Sequence, residues 1–266
     1  MLWAMAADQG TETMRDVKKT WTLLISAVIA VLCATSVAKA DDGARLAYDK
    51  AWVLFPTGHT MWMEDAIKAN SFTKLPPNFI TVIYMHGCAG IYKPDMEQIA
   101  KAGFVAIGLR SNARTDWKPD CDAKTKQVGM NPRASSNRQQ ELRYAFDNLP
   151  KVPGINMNKV VLMGHSEGGK AVANYPGTEE RAAIITGWGC RTKDSYFNGT
   201  KIPTSVPVFN VVTQKDDWMY LNNGGNCADV LKNHRIKEVL YPEGTEHWVN
   251  DKYWPQIEAF IRANTR

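Results

Sequence analysis

The run Lys159-Val160-Val161-Leu162-Met163 leads straight into Gly164-His165-Ser166-Glu167-Gly168, and small residues able to start a helix follow. An apolar strand that turns at G-x-S-x-G into a helix can be built in very few ways. The serine must occupy a sharp, strained turn, and the flanking positions must be glycine because a Cβ there would collide with the neighbouring strand and helix. That turn leaves the hydroxyl exposed at the start of the helix, where backbone N–H groups can stabilise developing negative charge. Ser166 is therefore read as a nucleophile. Its partners follow in the order such a site requires: a carboxylate in Asp216-Asp217 and a base at His247.

The rest of the chain supplies a fold for that turn. Strand-like runs are expected at Phe79–Met85, Phe104–Leu109, Val160–Met163, Ala183–Thr186, Val206–Val212 and Lys237–Tyr241. They are continuously apolar, as strands buried on both faces are. Helices are expected between them at Pro94–Ala102, Arg133–Asn148, Glu167–Asn174, Asn222–Asn233 and Tyr253–Ala263. In the second of these, Leu142, Ala145, Phe146 and Leu149 recur at i, i+3, i+4 and i+7, one buried stripe. Gly103 is placed to end the first as a C-cap. Alternation of this kind predicts an α/β fold, a mostly parallel central sheet with helices on both faces. A first strand at Ala51–Phe55 and a short helix at Met61–Ala69 precede it, and Ser111–Pro132 reads as a long polar loop of the kind that forms a lid or a local insertion.

The first 40 residues are expected to lie outside this fold. Arg15, Lys18 and Lys19 precede the apolar stretch Trp21–Cys33, and Ala38-Lys39-Ala40 then offers an A-x-A cleavage site. A signal peptide over 1–40 and a single domain over 41–266 follow, with the protein periplasmic or secreted and without stable membrane association after cleavage. Removing four basic and three acidic residues from the 32 and 27 of the whole chain leaves 28 and 24. The remaining positive charges are scattered, which argues against a nucleic-acid partner. No C-x-x-C pair or His/Cys cluster has metal-ligand spacing, and no G-x-G-x-x-G follows a strand, so no metal or cofactor is expected. The expected partner is a small molecule.

The strand at 79–85 ends in His86-Gly87-Cys88-Ala89-Gly90, an H-G-x-x-G turn placed to supply an oxyanion donor. The expected donors are the backbone N–H groups of Cys88 and of Glu167. His86 is read as a structural loop residue. His165 is expected to point away from its neighbour Ser166, and His59 and His234 to be uninvolved. Trp188, Trp218 and Trp248 fall at strand ends where they can line a substrate pocket, with Trp117 on the long loop. Arg110, Arg114 and Arg191 fall near the same edge and are read as solvated.

Together the His86–Gly90 turn, the Gly164–Gly168 elbow, Asp216-Asp217-Trp218 with Cys227, and His247 resemble the dienelactone hydrolase family of α/β-hydrolases, over roughly residues 79–263. One position departs from it: the family proper carries cysteine in the elbow where this chain has Ser166. The resemblance implies the α/β-hydrolase fold and ester or lactone hydrolysis by Ser166, Asp216 and His247. Its turn places Asp216, rather than Asp217, against the histidine. Its usual strand order makes neighbours of the strands before Cys88 and Cys121, and of those before Cys190 and Cys227, which implies disulfides Cys88–Cys121 and Cys190–Cys227. Two other readings carry observable differences. A prolyl-oligopeptidase-like serine peptidase shares Gly-His-Ser-Glu-Gly-Gly elbows but carries a large accessory domain. A non-catalytic binding protein on the same fold would lack a triad member.

Overall fold

The computed structural model describes residues 42–91, 93–191, 197–218 and 225–266. The chain parts into Met1–Asp42 and Gly43–Arg266, and the fold is that of the second unit. The expected signal segment lies outside the described residues. No helix among the described residues is long and apolar enough to cross a membrane.

Burial on both faces explains the centre of the molecule. Strands β3 (Thr81–Met85), β4 (Val105–Leu109) and β7 (Val160–His165) are buried at every position. They lie side by side and parallel, with Ile83 opposite both Ile107 and Leu162. The sheet continues through β8 (Ala183–Thr186) and β9 (Val208–Val211) to β10 (Lys237–Leu240), all parallel. On the other side, β1 (Trp52–Leu54) runs antiparallel to β4, and the three-residue β2 (Thr60–Trp62) closes the edge. The order β10-β9-β8-β7-β3-β4-β1-β2 makes an eight-stranded sheet.

Strand alternation sends successive side chains to two separate cores. Ile83, Met85, Ile107 and Leu162 meet Leu142, Ala145 and Phe146 of α4 (Ala134–Asn148) and Val172 of α5 (Glu167–Ala173). Val82, Tyr84, Ala106 and Met163 meet Met96 and Ile99 of α3 (Lys93–Lys101) and Ile257, Phe260 and Ile261 of α6 (Trp254–Asn264). Each fully buried aliphatic or aromatic side chain contributes about 1.5–3 kcal/mol of transfer free energy. Helices α1 (residues 42–49) and α2 (Met63–Lys68) complete the amino-terminal edge. Gly103 (φ 82°) ends α3 in the left-handed conformation that a side chain would resist, and its N–H bonds the Ala100 carbonyl at 2.9 Å.

Two expected elements differ. Within the long loop, Ser111–Ala113 forms a 3₁₀ turn, and Cys121–Asp122 (β5) pairs with Gln127–Val128 (β6) as a small antiparallel hairpin. Of the helix expected at Asn222–Asn233, residues 222–224 lie outside the described residues, and 225–233 form turns. The cause is local: Cys227 is bonded to Cys190, and its N–H donates to Asn210 Oδ1 in β9 at 3.0 Å. Anchoring that residue to the sheet leaves one helical-type bond, Leu231 N–H to the Cys227 carbonyl.

Candidate active site

All the loops that carry expected site residues leave the same, carboxyl-terminal edge of the parallel strands, where open α/β sheets bind ligands. At the end of β7, Ser166 has φ 57° and ψ −118°, a backbone conformation costly for any residue with a side chain. Two glycines make the turn possible. A Cβ on Gly164 would stand 2.3 Å from the Gly168 carbonyl oxygen, and one on Gly168 would stand 2.0 Å from the Met85 carbonyl oxygen. No such contact is sterically possible, so α5 can press against the end of β3 only with glycine at both places. Ser166 is thereby set beside the turn that follows β3.

That turn is His86–Gly90. It closes on itself through a bridge between Gly87 and Gly90, with Gly90 N–H on the Gly87 carbonyl at 3.2 Å. Among the described residues neither the Cys88 N–H nor the Glu167 N–H has a hydrogen-bond partner. His86 is fully buried and its Nδ1 lies 2.5 Å from the Gly87 carbonyl oxygen. Burial, with Arg138 beside it, pushes its pKa down to about 3, so the ring is neutral. The disulfide Cys88–Cys121 ties this turn to the β5–β6 hairpin.

The acid and base come from the loops after β9 and β10. Asp216 is fully buried; its Oδ2 lies 2.7 Å from His247 Nδ1, and its Oδ1 accepts the Trp218 N–H at 2.9 Å. Asp217 is exposed. The His247 loop is held by Lys215 N–H to the Gly244 carbonyl and by Thr213 Oγ1 to the Glu246 carbonyl, 2.9 and 2.6 Å. Among the described residues the Ser166 hydroxyl makes no hydrogen bond, so the contact between it and His247 is open. Catalytic hydrogen bonds are commonly long in sites without substrate.

The three tryptophans separate. Trp218 stacks on the His247 ring, centroids 5.5 Å apart, with Lys126 of the hairpin turn 4.8 Å over its face. Trp248, 38% exposed, stacks on His165 at 4.3 Å. Trp188 belongs to the core beneath α5, and its Nε1 is buried without a partner among the described residues. Trp117 is half-buried on the rim of a polar cleft with Arg114, Arg138 and Glu167. Trp218 and Trp248 thus lie beside the histidines of the site, whereas Trp188 packs into the core.

One further expectation changes, at Arg114, and His165 has a contact the sequence did not suggest. Its ring meets His247 edge-on at 4.7 Å, and burial, with His247 adding to it, holds its pKa well below the ordinary value. Thr186 Oγ1 donates its one proton to the Gly164 carbonyl, so His165 Nδ1 donates to that hydroxyl and Nε2 is left unprotonated. Arg114 is not solvated: its side chain is 4% exposed, 3.0 Å from Asp116 and 3.6 Å from Glu141. Arg191 is exposed and pairs with Asp229, and Arg110 lies over Trp62. His59 is exposed, and His234 is buried with Nδ1 3.3 Å from the Val206 carbonyl oxygen.

Sequence patterning missed a buried polar cluster on α4. Arg138 forms a bidentate pair with Glu167 at 3.1 Å for both contacts. Glu141 accepts the Ser111 hydroxyl at 2.6 Å, and burial pushes its pKa up to about 7 against the pull of Arg138. Asp120 is likewise pushed up to about 6, by burial and then by Glu167. One signal was present: a charged residue at position 167, inside a glycine-packed elbow, requires a partner.

This architecture is the α/β-hydrolase fold. No family model matches the chain. Among solved structures, an acetyl xylan esterase from Paenibacillus sp. R4 superposes with a TM-score of 0.55 at 14% identity, covering 72% of this chain and 76% of that one. A candidate dienelactone hydrolase from Klebsiella pneumoniae subsp. pneumoniae MGH 78578 superposes with a TM-score of 0.50 at 15% identity, covering 71% and 89%. In sequence, 158 residues are 27% identical to the mitochondrial enoyl-(acyl-carrier-protein) reductase of Candida glabrata. That stretch is 59% of this chain and spans 40% of the reductase.

Proposed function

We propose that this chain is an exported serine hydrolase that cleaves carboxylic esters or lactones through an acyl-enzyme, with Ser166, His247 and Asp216 as its triad. The observation that carries the reading is the 2.7 Å contact between buried Asp216 and His247 Nδ1, on loops bordering a serine in a strained elbow. A carboxylate there fixes the imidazole tautomer with Nε2 free to accept a proton and stabilises the imidazolium that results. Ser166 Oγ attacks the ester carbonyl carbon as His247 takes its proton. The negative charge on the carbonyl oxygen is received by the N–H groups of Cys88 and Glu167. The intermediate collapses, the C–O bond to the alcohol breaks, and His247 returns the proton to the leaving oxygen. Water, deprotonated by His247, then attacks the acyl-enzyme and releases the acid.

Trp218 stacks on the His247 ring and Trp248 meets it edge-on at 5.8 Å, apolar surfaces suited to a small ester. The fold of the esterase and hydrolase neighbours fits this reading. A nicotinamide reductase fits less well, because the chain contains no G-x-G-x-x-G. Export accords with the sequence of residues 1–40 and with two disulfides, which persist in oxidising compartments. Exported protein should begin at Asp41 by amino-terminal sequencing.

The test is labelling by a fluorophosphonate together with a panel of activated esters and peptide amides. Wild type should label once and hydrolyse esters in preference to amides. Ser166→Ala should lose the label and at least about four orders of magnitude in kcat while remaining folded. Labelling that survives Ser166→Ala would sink the proposal.

A further inference from the structure

Arg138 is a charged side chain that the reaction does not use, yet its guanidinium touches both segments assigned as oxyanion donors. It extends from α4 with 3% of its side chain exposed. Nε and Nη2 donate to the two carboxylate oxygens of Glu167, both at 3.1 Å, and Nη2 also donates to the Gly87 carbonyl at 3.2 Å. We infer that Arg138 is a positioning residue that clamps the two halves of the oxyanion hole in register; this rests on the function proposed above.

The argument lies in which carbonyl is held. Gly87 C=O and Cys88 N–H belong to the same peptide unit. A trans peptide is planar and sends its N–H opposite to its C=O. Fixing the Gly87 oxygen on the α4 side therefore aims the Cys88 N–H away from α4. His86 Nδ1, 2.5 Å from the same oxygen, reinforces the direction. Hydrogen bonds to a carbonyl also polarise its peptide and make its N–H a better donor. On the other side, the bidentate pair grips the side chain of the residue whose own backbone N–H is the second donor, and a fork of this kind fixes orientation as well as distance. A hypothetical Cβ on Gly87 would stand 3.4 Å from Ser166 Cβ, so the clamped turn lies directly against the nucleophile. Stability alone does not explain the pair, since a buried ion pair gains little over a well-packed apolar substitute.

That last point supplies the experiment. The double variant Arg138→Met with Glu167→Met removes both charges together and should fold with a Tm near or above that of wild type. Its kcat on an activated ester should fall about 100-fold, with KM within threefold, because misplacement of a catalytic donor by about an ångström has an effect of that order. The inhibition constant of phenylboronic acid, whose tetrahedral serine adduct occupies the same hole, should rise by the same factor. The pH profile of kcat/KM should keep its wild-type shape. Arg138→Lys keeps the charge beside Glu167 but cannot span to Gly87, and kcat should fall about tenfold with Tm preserved. Should the double variant fail to fold, the lysine variant decides alone. Wild-type kcat and boronate affinity in a folded variant would overturn the clamp. Hydrolysis that survives Ser166→Ala defeats the functional reading itself, whereas a Ser166-dependent enzyme indifferent to Arg138 defeats the clamp alone.

Discussion

The two halves of the site are held by different means. The half proposed to carry the nucleophile and the oxyanion donors lies on β3, β7 and α5, inside the glycine contacts of Gly164 and Gly168, behind a buried guanidinium and a disulfide. The acid–base half hangs from surface loops. Glu243, Thr245 and Glu246 around His247 are exposed, and the ring is oriented by Asp216, Trp218 and His165. The difference matches what each half must do. Oxyanion donors act only if they are already in place when charge develops. The base must reach Ser166, then the leaving oxygen, then water, and a loop-borne ring can accommodate these positions.

The largest test of this contrast is in the looser half. Asp216→Asn should lower kcat by about four orders of magnitude by upsetting the tautomer of His247. Asp217→Asn, on an exposed side chain one residue away, should leave kcat within about threefold. Equal effects of the two on one activated ester would mean that the loop does not present Asp216 uniquely.

The disulfides test the rigid half. Each closes a loop of similar length, 33 and 37 residues, so replacing either pair by alanine should cost roughly 2–4 kcal/mol of stability. Activity should divide them. Losing Cys88–Cys121 should also lower kcat about tenfold, because Cys88 carries an N–H proposed as an oxyanion donor. Losing Cys190–Cys227 should change stability alone. Denaturation midpoints and initial rates on the same preparations would show whether the two pairs behave alike, which would blur the contrast.

The smallest effect is electrostatic and again belongs to the rigid half. Burial holds the Glu141 carboxyl at about 7, against 4.5 when unfolded. A folded pKa raised in this way gives stability that is complete below about 4.5 and is lost as pH rises toward 7, since the unfolded state releases the proton first. Glu141→Gln cannot ionise. The Tm of wild type should therefore fall relative to this variant by roughly 10 °C between pH 4.5 and 7, and the gap should then stay level. A constant gap over that range would show that Glu141 is ionised in the folded protein.

Legibility in the sequence followed hydrophobicity. β3, β4, β7 and β8 lie within two residues of their expected places because strands buried on both faces announce themselves as apolar runs. The strained backbone at Ser166 was legible through glycine spacing, and the pairing of His247 with Asp216 through chain order. Arg138 and Glu141 were not, since apolar periodicity in α4 becomes visible only from Leu142 onward, while Ser135, Asn137, Arg138 and Glu141 are buried as polar groups. Such burial depends on partners distant in sequence, at positions 86, 111 and 167. The β5–β6 hairpin was invisible because two residues per strand show no alternation. Residues 225–233 carry helical spacing at Cys227 and Leu231, but a disulfide and Asn210 decide their conformation.

The ends of the sheet limit how the molecule can associate. Open strand edges are templates on which another copy can add a strand. Here one end is β2, three residues long and beneath the Arg110 guanidinium that covers the Trp62 ring. The other is β10, four residues beginning Lys237-Glu238, both exposed. Neither offers a long, flat, apolar ladder among the described residues, which disfavours growth of the sheet from one molecule into the next.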